Sequence, residues 1–192
     1  MKWNKKDNSM EPEKIRLRKT FLPKEAHVLD LFCGTGKMYK GAYKNRAKGY
    51  KGIDYKKIHD KKLCVLTNNI RYVQKRDISK YNVFDLDDYG CPWKLIYLIL
   101  KRAKQEKITM FITDGLVLKQ KMGGDVVKIV SATEQVPRNM NIPGQNRFYV
   151  DMFATMLKDL ERRYKYKTTR AIYFHNFRRT VYYWALQMQR TV

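Results

Sequence analysis

The sequence predicts an α/β protein: a doubly wound, mostly parallel seven-stranded sheet with helices on both faces and an antiparallel last strand. Three observations point there. Short apolar runs alternate with amphipathic stretches along most of the 192 residues, the rhythm of parallel strands joined by crossover helices. The first strong run, Ala26–Phe32, leads directly into Cys33-Gly34-Thr35-Gly36, a strand-to-helix turn of the kind that wound sheets place at their ligand-binding edge. Near the carboxyl end, two β-rich runs flank the polar link His175–Thr180, which reads as a closing hairpin.

The elements follow in order. Residues 1–25 carry eight Lys/Arg and four acids and read as a basic lead-in, with one short helix or strand around Ile15–Phe21. A single domain over 26–192 follows. Ala26–Phe32 is its first strand, and Lys37–Lys48 a helix with Met38, Ala42 and Tyr43 on one face. Tyr50–Ile53 is a second strand closed by Asp54. Tyr55–Asn68 reads as helical, with Ile58, Leu63 and Leu66 inward, Arg71–Gln74 as a third strand and Asn82–Leu86 as a fourth. Trp93, Ile96, Tyr97, Leu100 and Ala103 recur at helical spacing, so Trp93–Ala103 is an amphipathic helix. Ile108–Thr113 is a fifth strand closed by Asp114.

Gly115–Asn146 breaks the rhythm with glycines and prolines and one helix candidate after Asp125. Such an interruption at a strand's carboxyl end suits a substrate loop or lid as well as an ordinary surface excursion. Arg147–Arg163 is a further helix with Tyr149, Met152, Phe153, Met156, Leu157 and Leu160 as its stripe. Arg170–Phe174 and Val181–Met188 form the hairpin.

Composition narrows the function classes. Apolar residues make up 44% of the chain and aromatics 13%, enough for a packed core. Forty-one Lys+Arg against eighteen Asp+Glu leave a formal charge of +23, which favours a polyanionic partner. The apolar run Leu95–Leu100 falls far short of the ~18 residues a membrane span needs, and the first residues lack a signal-peptide pattern. Cys33, Cys64 and Cys91 show no metal spacing. These features fit a cytoplasmic protein with no metal and no membrane. His27, His59 and His175 form no pattern with other ligand types.

Asp30-Leu31-Phe32-Cys33-Gly34-Thr35-Gly36 carries the strongest chemical signal. Glycines directly after a strand let the backbone pass close to a nucleotide-like ligand. A phosphate-binding loop fails here, because Leu31 stands at its first glycine and Met38 at its hydroxyl. A dinucleotide fingerprint fails at Tyr39. What remains is an adenosine bearing a positive centre. Asp30 bonds the turn or faces a cation, and Asp54, eighteen residues beyond Gly36, accepts from ribose hydroxyls. Asp77 accepts from an adenine amino group.

Val28–Gly36 together with Asp54 resembles motif I and the following acidic motif of class I S-adenosylmethionine-dependent methyltransferases. The resemblance implies a Rossmann-like fold and S-adenosylmethionine as cofactor. The turn Phe32, Cys33, Gly34, Thr35 and Gly36 would then lie under the methionine part, Asp54 at the ribose and Asp77 at the adenine edge.

A second loop, Asp85-Leu86-Asp87-Asp88-Tyr89-Gly90-Cys91-Pro92, resembles the Asp-x-Asp-Pro-aromatic-Gly-Ser-Pro loop of tRNA guanine-N2 dimethyltransferases, with Asp88 in place of Pro and Cys91 in place of Ser. It is more loosely similar to the Asp-Pro-Pro-Tyr loop of amino-group methyltransferases. An exocyclic amine is a poor nucleophile because its lone pair is delocalised into the ring. A carboxylate and a backbone carbonyl that accept its N–H protons localise that pair and aim it. On this reading Asp87 is the carboxylate, with Asp85 beside it. Tyr89 stacks the base, and Gly90 and Pro92 shape the turn. Cys91 suggests an alternative, thiol attack on a pyrimidine ring, but Gly90 precedes it where such enzymes place Pro.

The charges divide by position. Lys37–Lys62 holds ten Lys/Arg and Lys158–Arg190 nine, each with two acids, whereas Asp30, Asp54, Asp77, Asp85, Asp87, Asp88 and Asp114 fall at expected strand ends. An acidic pocket within a basic shell suits a cationic cofactor and a nucleic acid, RNA rather than DNA. A homodimer or partner subunit would add target recognition. Rival readings are a non-catalytic nucleic-acid-binding subunit and a small-molecule amine methyltransferase.

Overall fold

Short parallel strands buried along nearly their whole length, such as Val28–Asp30 and Val83–Leu86, belong to a sheet covered on both faces, and that is the architecture found. A computed structural model describes residues 10–56, 58, 60–88, 90–117 and 142–191, with side chains from 149 onward in the last stretch. The elements are α1 (Glu11–Phe21), β1 (His27–Asp30), a π-helical turn (Tyr39–Tyr43), β2 (Gly49–Asp54), β3 (Cys64–Leu66), α2 (Asn69–Lys75), β4 (Val83–Leu86), α3 (Trp93–Arg102), β5 (Lys107–Asp114), α4 (Ile142–Tyr164), β6 (Tyr166–His175) and β7 (Tyr182–Arg190). The seven strands lie in the order β3-β2-β1-β4-β5-β7-β6. The first five are parallel, and β7 runs against both its neighbours.

Period-two alternation divides the core. Leu29, Leu31, Phe84, Leu86, Met110 and Ile112 face one side, where they pack with Val73 of α2, Leu95, Ile96 and Ile99 of α3, and Phe153, Met156 and Leu160 of α4. Aromatic contacts fix α4 on β7: Phe153 stacks on Trp184 at 3.9 Å and Tyr149 on Tyr182 at 3.9 Å. Lys165, at φ 54, turns the chain from α4 directly into β6. Val28, Val83, Phe111 and Ala185 face the other side, against Leu17 and Phe21 of α1 and Met38, Ala42 and Tyr43. Asp30 and Asp85, two residues on from Val28 and Val83, fall on this second side. The segment read as a basic lead-in thus contributes a helix that packs on the sheet.

Two elements differ from those expected. Residues 55–68 are not one helix: the third strand is Cys64–Leu66, and Leu66 is 56% exposed rather than inward. Residues 71–74 belong to helix α2, not to a strand. The spacing of Ile58, Leu63 and Leu66 imitates a helical face, and a three-residue strand is too short to show alternation. A cap signal was present, since Asn68 Oδ1 accepts from the Arg71 N–H at 2.9 Å, as an N-cap residue does. The helix expected after Asp125, and most of the 115–146 loop, lie outside the described residues.

Candidate functional site

Parallel strands end on one edge, and the residues with chemistry gather there. β1 stops at Asp30, after which Gly34 and Gly36 adopt φ of +45 and +75, conformations that glycine takes without strain. The turn is pinned twice. The Cys33 N–H donates to the Ile53 carbonyl at 3.1 Å, and the Gly34 N–H donates to Asp54 Oδ2 at 3.1 Å. Gly52 permits this close approach, because a Cβ there would lie 2.6 Å from Cys64 Sγ and 2.9 Å from Cys33 Sγ. Over Gly34 there is room: a Cβ would meet nothing nearer than the Phe32 carbonyl at 3.8 Å. Asp54 Oδ1 also accepts from the Lys56 N–H at 2.8 Å. A carboxylate oxygen has lone pairs for further donors. Phe32 is half-buried and Thr35 exposed beside this turn.

Asp30 lies beneath the turn, 1% exposed. It accepts from the Phe32 N–H at 3.1 Å and the Tyr50 hydroxyl at 2.8 Å. Burial, with Asp85 on the adjacent strand, raises its carboxyl to about 8, against those hydrogen bonds and the pull of Arg18.

The second loop is organised by α1, which falls in the segment expected as a basic lead-in. Arg18 clamps Asp85 in a fork, Nε to Oδ2 at 2.7 Å and Nη2 to Oδ1 at 2.6 Å. The Tyr43 hydroxyl adds a third bond at 2.5 Å. Asp85 is fully buried, so the catalytic role expected for it is corrected: it cannot touch a substrate, and it positions α1. Asp87 differs. Lys14 Nζ at 2.5 Å and Thr113 Oγ1 at 2.6 Å both donate to its Oδ1, while Arg18 Nη2 stands 3.8 Å from Oδ2, beyond hydrogen-bond range. Among the described residues Oδ2 therefore accepts no hydrogen bond. Burial pushes the Asp87 carboxyl up, but Lys14 and Arg18, with the two donors to Oδ1, outweigh it and hold it below the usual range.

The loop continues to the same edge. The Gly115 N–H donates to the Gly90 carbonyl at 2.8 Å, and Pro92 caps α3. Asp114 ends β5 fully buried, accepting from the Tyr149 hydroxyl at 2.6 Å and the Leu116 N–H at 2.8 Å. Burial raises its carboxyl to about 6. Tyr89 lies outside the described residues.

Asp77 does not join the site. It follows α2 and precedes β4, so it lies at the amino-terminal edge of the strands, opposite Gly34. There it caps its own turn, accepting from the Ser79 N–H and hydroxyl at 2.9 Å each. Its expected contact with an adenine is corrected accordingly. The error came from reading α2 as a strand, which turned the sheet's two edges around. Asn69 stands where Asp77 was expected. It opens α2 directly after β3, and the Thr67 N–H ties this segment to the Asp54 carbonyl at 2.8 Å. Asn69 is 5% exposed, and its Oδ1 is buried with no hydrogen-bond partner. An acceptor buried that way is costly unless a ligand completes it. The sequence signal was the Asn68-Asn69 pair before Ile70 and Val73.

Among the described residues, no group of His, Cys, Asp and Glu could hold a metal ion, and no helix is long and apolar enough to cross a membrane. Cys33 and Cys64 are buried, and burial raises both thiols.

No protein-family model matches this sequence, and no curated protein matches it. Solved structures do. TYW2 of Methanocaldococcus jannaschii in complex with AdoMet superposes with a TM-score of 0.62 at 10% identity, over 99% of this chain and 78% of that one. The tRNA m1G37 methyltransferase of the same organism gives 0.55 at 14% identity, over 96% of this chain and 50% of that one. Trm5b from Pyrococcus abyssi gives 0.54 at 11% identity, over 95% and 49%. The chain spans about half the length of these last two. The fold is that of class I S-adenosylmethionine-dependent methyltransferases.

Proposed function

We propose that this chain is an S-adenosylmethionine-dependent methyltransferase that methylates an exocyclic amino group of an RNA base. The observation that carries the reading is Asp87, with Oδ1 anchored by Lys14 and Thr113 and Oδ2 left to accept, on the same sheet edge as the open glycine turn. The residues present fit an adenosine bearing a cationic sulfonium. Asp54 would hold the ribose hydroxyls, and the orphaned Asn69 Oδ1 would accept from the adenine amino group. Phe32, Cys33, Gly34, Thr35 and Gly36 would lie along the methionine portion. When bound, the cofactor supplies a methyl group already activated by positive sulfur.

The chain's own contribution is positioning. Asp87 Oδ2 accepts one N–H of the target amine and turns its lone pair out of conjugation, and a loop carbonyl takes the second N–H. Lys14 and Thr113 keep the carboxylate charged and fixed in orientation, which is what makes it a directed acceptor. Arg18 and Asp85 hold α1, and therefore Lys14, at the correct height. Tyr89 is assigned to stack the base, and Pro92 to start the helix that carries the loop. The charge of +23 supports a polyanionic substrate, and the RNA-directed name of one structural neighbour favours RNA. A cytoplasmic location is part of the same proposal.

The test uses a labelled methyl donor and total RNA, followed by identification of the modified nucleoside. The expected product is a base carrying a methylated exocyclic nitrogen. Asp87→Ala should lower the rate by about 10²–10³-fold, the usual loss of a directed electrostatic contact, while S-adenosylhomocysteine still binds. Full transfer by Asp87→Ala would refute the assignment.

A further inference from the structure

The β6–β7 hairpin ends where the substrate must approach. Asp114, the last residue of β5, pairs with Tyr182, the first of β7, and Tyr182 pairs with His175, the last of β6. The six residues between, 176–181, therefore stand on the same sheet edge as Asp87 and Gly34. At 3.3 Å per strand residue, the tip lies roughly 10 Å beyond Asp114.

The tip is built to hold one shape. The Arg179 N–H donates to the Asn176 carbonyl at 2.9 Å, closing a tight turn, and the Asn176 N–H donates to the Val181 carbonyl at 3.1 Å. The Asn176 side chain braces it from inside: Oδ1 accepts from the Thr180 N–H at 2.9 Å and the Val181 N–H at 3.2 Å, and Nδ2 donates to Thr180 Oγ1 at 3.0 Å. Arg179 takes φ 50, a left-handed conformation that hairpins normally give to glycine. An arginine held there, where glycine would relieve strain, is a sign that the side chain is wanted.

The side chains presented are unusual for a loop with no partner. Phe177 is 101% exposed, with Arg178 and Arg179 exposed beside it. Folding gains nothing from a phenyl ring standing wholly in water. An aromatic face flanked by guanidinium groups suits an unpaired base with its phosphates: the ring stacks, and the cations take the backbone. Exposed Lys94, at the start of α3, and Lys56, after Asp54, continue the positive charge along the same edge.

We propose that the hairpin tip Phe177-Arg178-Arg179 is an RNA-docking element that stacks an unpaired nucleotide and holds its phosphates at the entrance to the site. This rests on the RNA-methyltransferase reading above and names the element that presents the substrate.

The experiment measures binding of a fluorescent mixed-sequence single-stranded RNA 20-mer, and of its duplex, by the wild type, Phe177→Ala and Arg178→Ala/Arg179→Ala. Melting temperature and S-adenosylhomocysteine binding are measured alongside and should match the wild type. Phe177→Ala should weaken single-strand binding by about ten-fold and leave the duplex unchanged. The arginine pair should weaken both and lower the salt slope by about 1.4 for the single strand and about 1.8 for the duplex. Single-strand affinity unchanged in Phe177→Ala would overturn the inference and leave the methyltransferase reading standing. The same follows if that variant instead dissociates a dimer without altering RNA affinity. No binding of either RNA by the wild type at low salt would overturn the RNA reading itself and this inference with it.

Discussion

Asp87 and Lys14 are 73 residues apart in the chain, yet their bond is the first of the contacts that favour the Asp87 anion. The Asp87 carboxyl sits in a site whose burial alone would raise it, and Lys14 leads the groups that bring it below the usual range. Removing that cation as Lys14→Met should therefore raise the Asp87 pKa. On the proposed function methyl transfer would depend on the ionised form, so its acid limb should move to higher pH while the plateau rate falls less than in Asp87→Ala. A pH–rate profile checks this, and a limb that stays in place would show that Lys14 does not govern the charge. Local motifs were the legible part of the site. Asp30, Gly34, Gly36 and Asp54 follow one strand–turn–helix–strand unit in sequence, and Asp87 sits in a short recognisable loop. Lys14 and Arg18 were not legible, because nothing in a basic amino-terminal segment says which carboxylates it will meet. Asn69 was hidden by the misreading of its own helix.

Among the elements, α1 is held by a buried ion pair as well as by Leu17 and Phe21 in the core. Arg18 is 2% exposed and Asp85 fully buried, so neither charge has solvent to fall back on. Arg18→Ala leaves Asp85 an uncompensated buried charge and should cost about 3–5 kcal/mol of stability, whereas Arg18→Leu with Asp85→Leu should recover most of that loss. Urea unfolding measures both, and equal losses in the two variants would show that the pair is not what fixes α1. β1, α3, β5, α4 and the hairpin were readable because each carries a long enough apolar pattern of one period. β3 was not, since three residues cannot display alternation and Leu66, its last, faces solvent at 56% exposure. That one error displaced α2 and carried Asp77 to the wrong edge. Edge assignment depends on counting every strand, so a missed short strand costs more than its length suggests.

At the scale of the molecule, opposite charges are sorted by topology. A parallel sheet sends all its strand ends to one edge, so Asp30, Asp54, Asp85, Asp87 and Asp114 converge although up to 84 residues separate them. Strand order was not legible in the residues, since alternation fixes which face a side chain takes but not which strand lies beside it. The reversed last strand was legible from its hairpin, and it is what brings residues 176–181 back to the working edge. If this edge holds an adenosine with a sulfonium arm, a crystal structure with S-adenosylhomocysteine will show it there. The ribose is expected on Asp54, the adenine amino group within hydrogen-bond distance of Asn69 Oδ1, and the sulfur over the Gly34 turn facing Asp87. A ligand seated at the Asp77 edge, or one that leaves Asn69 Oδ1 without a donor, would contradict it.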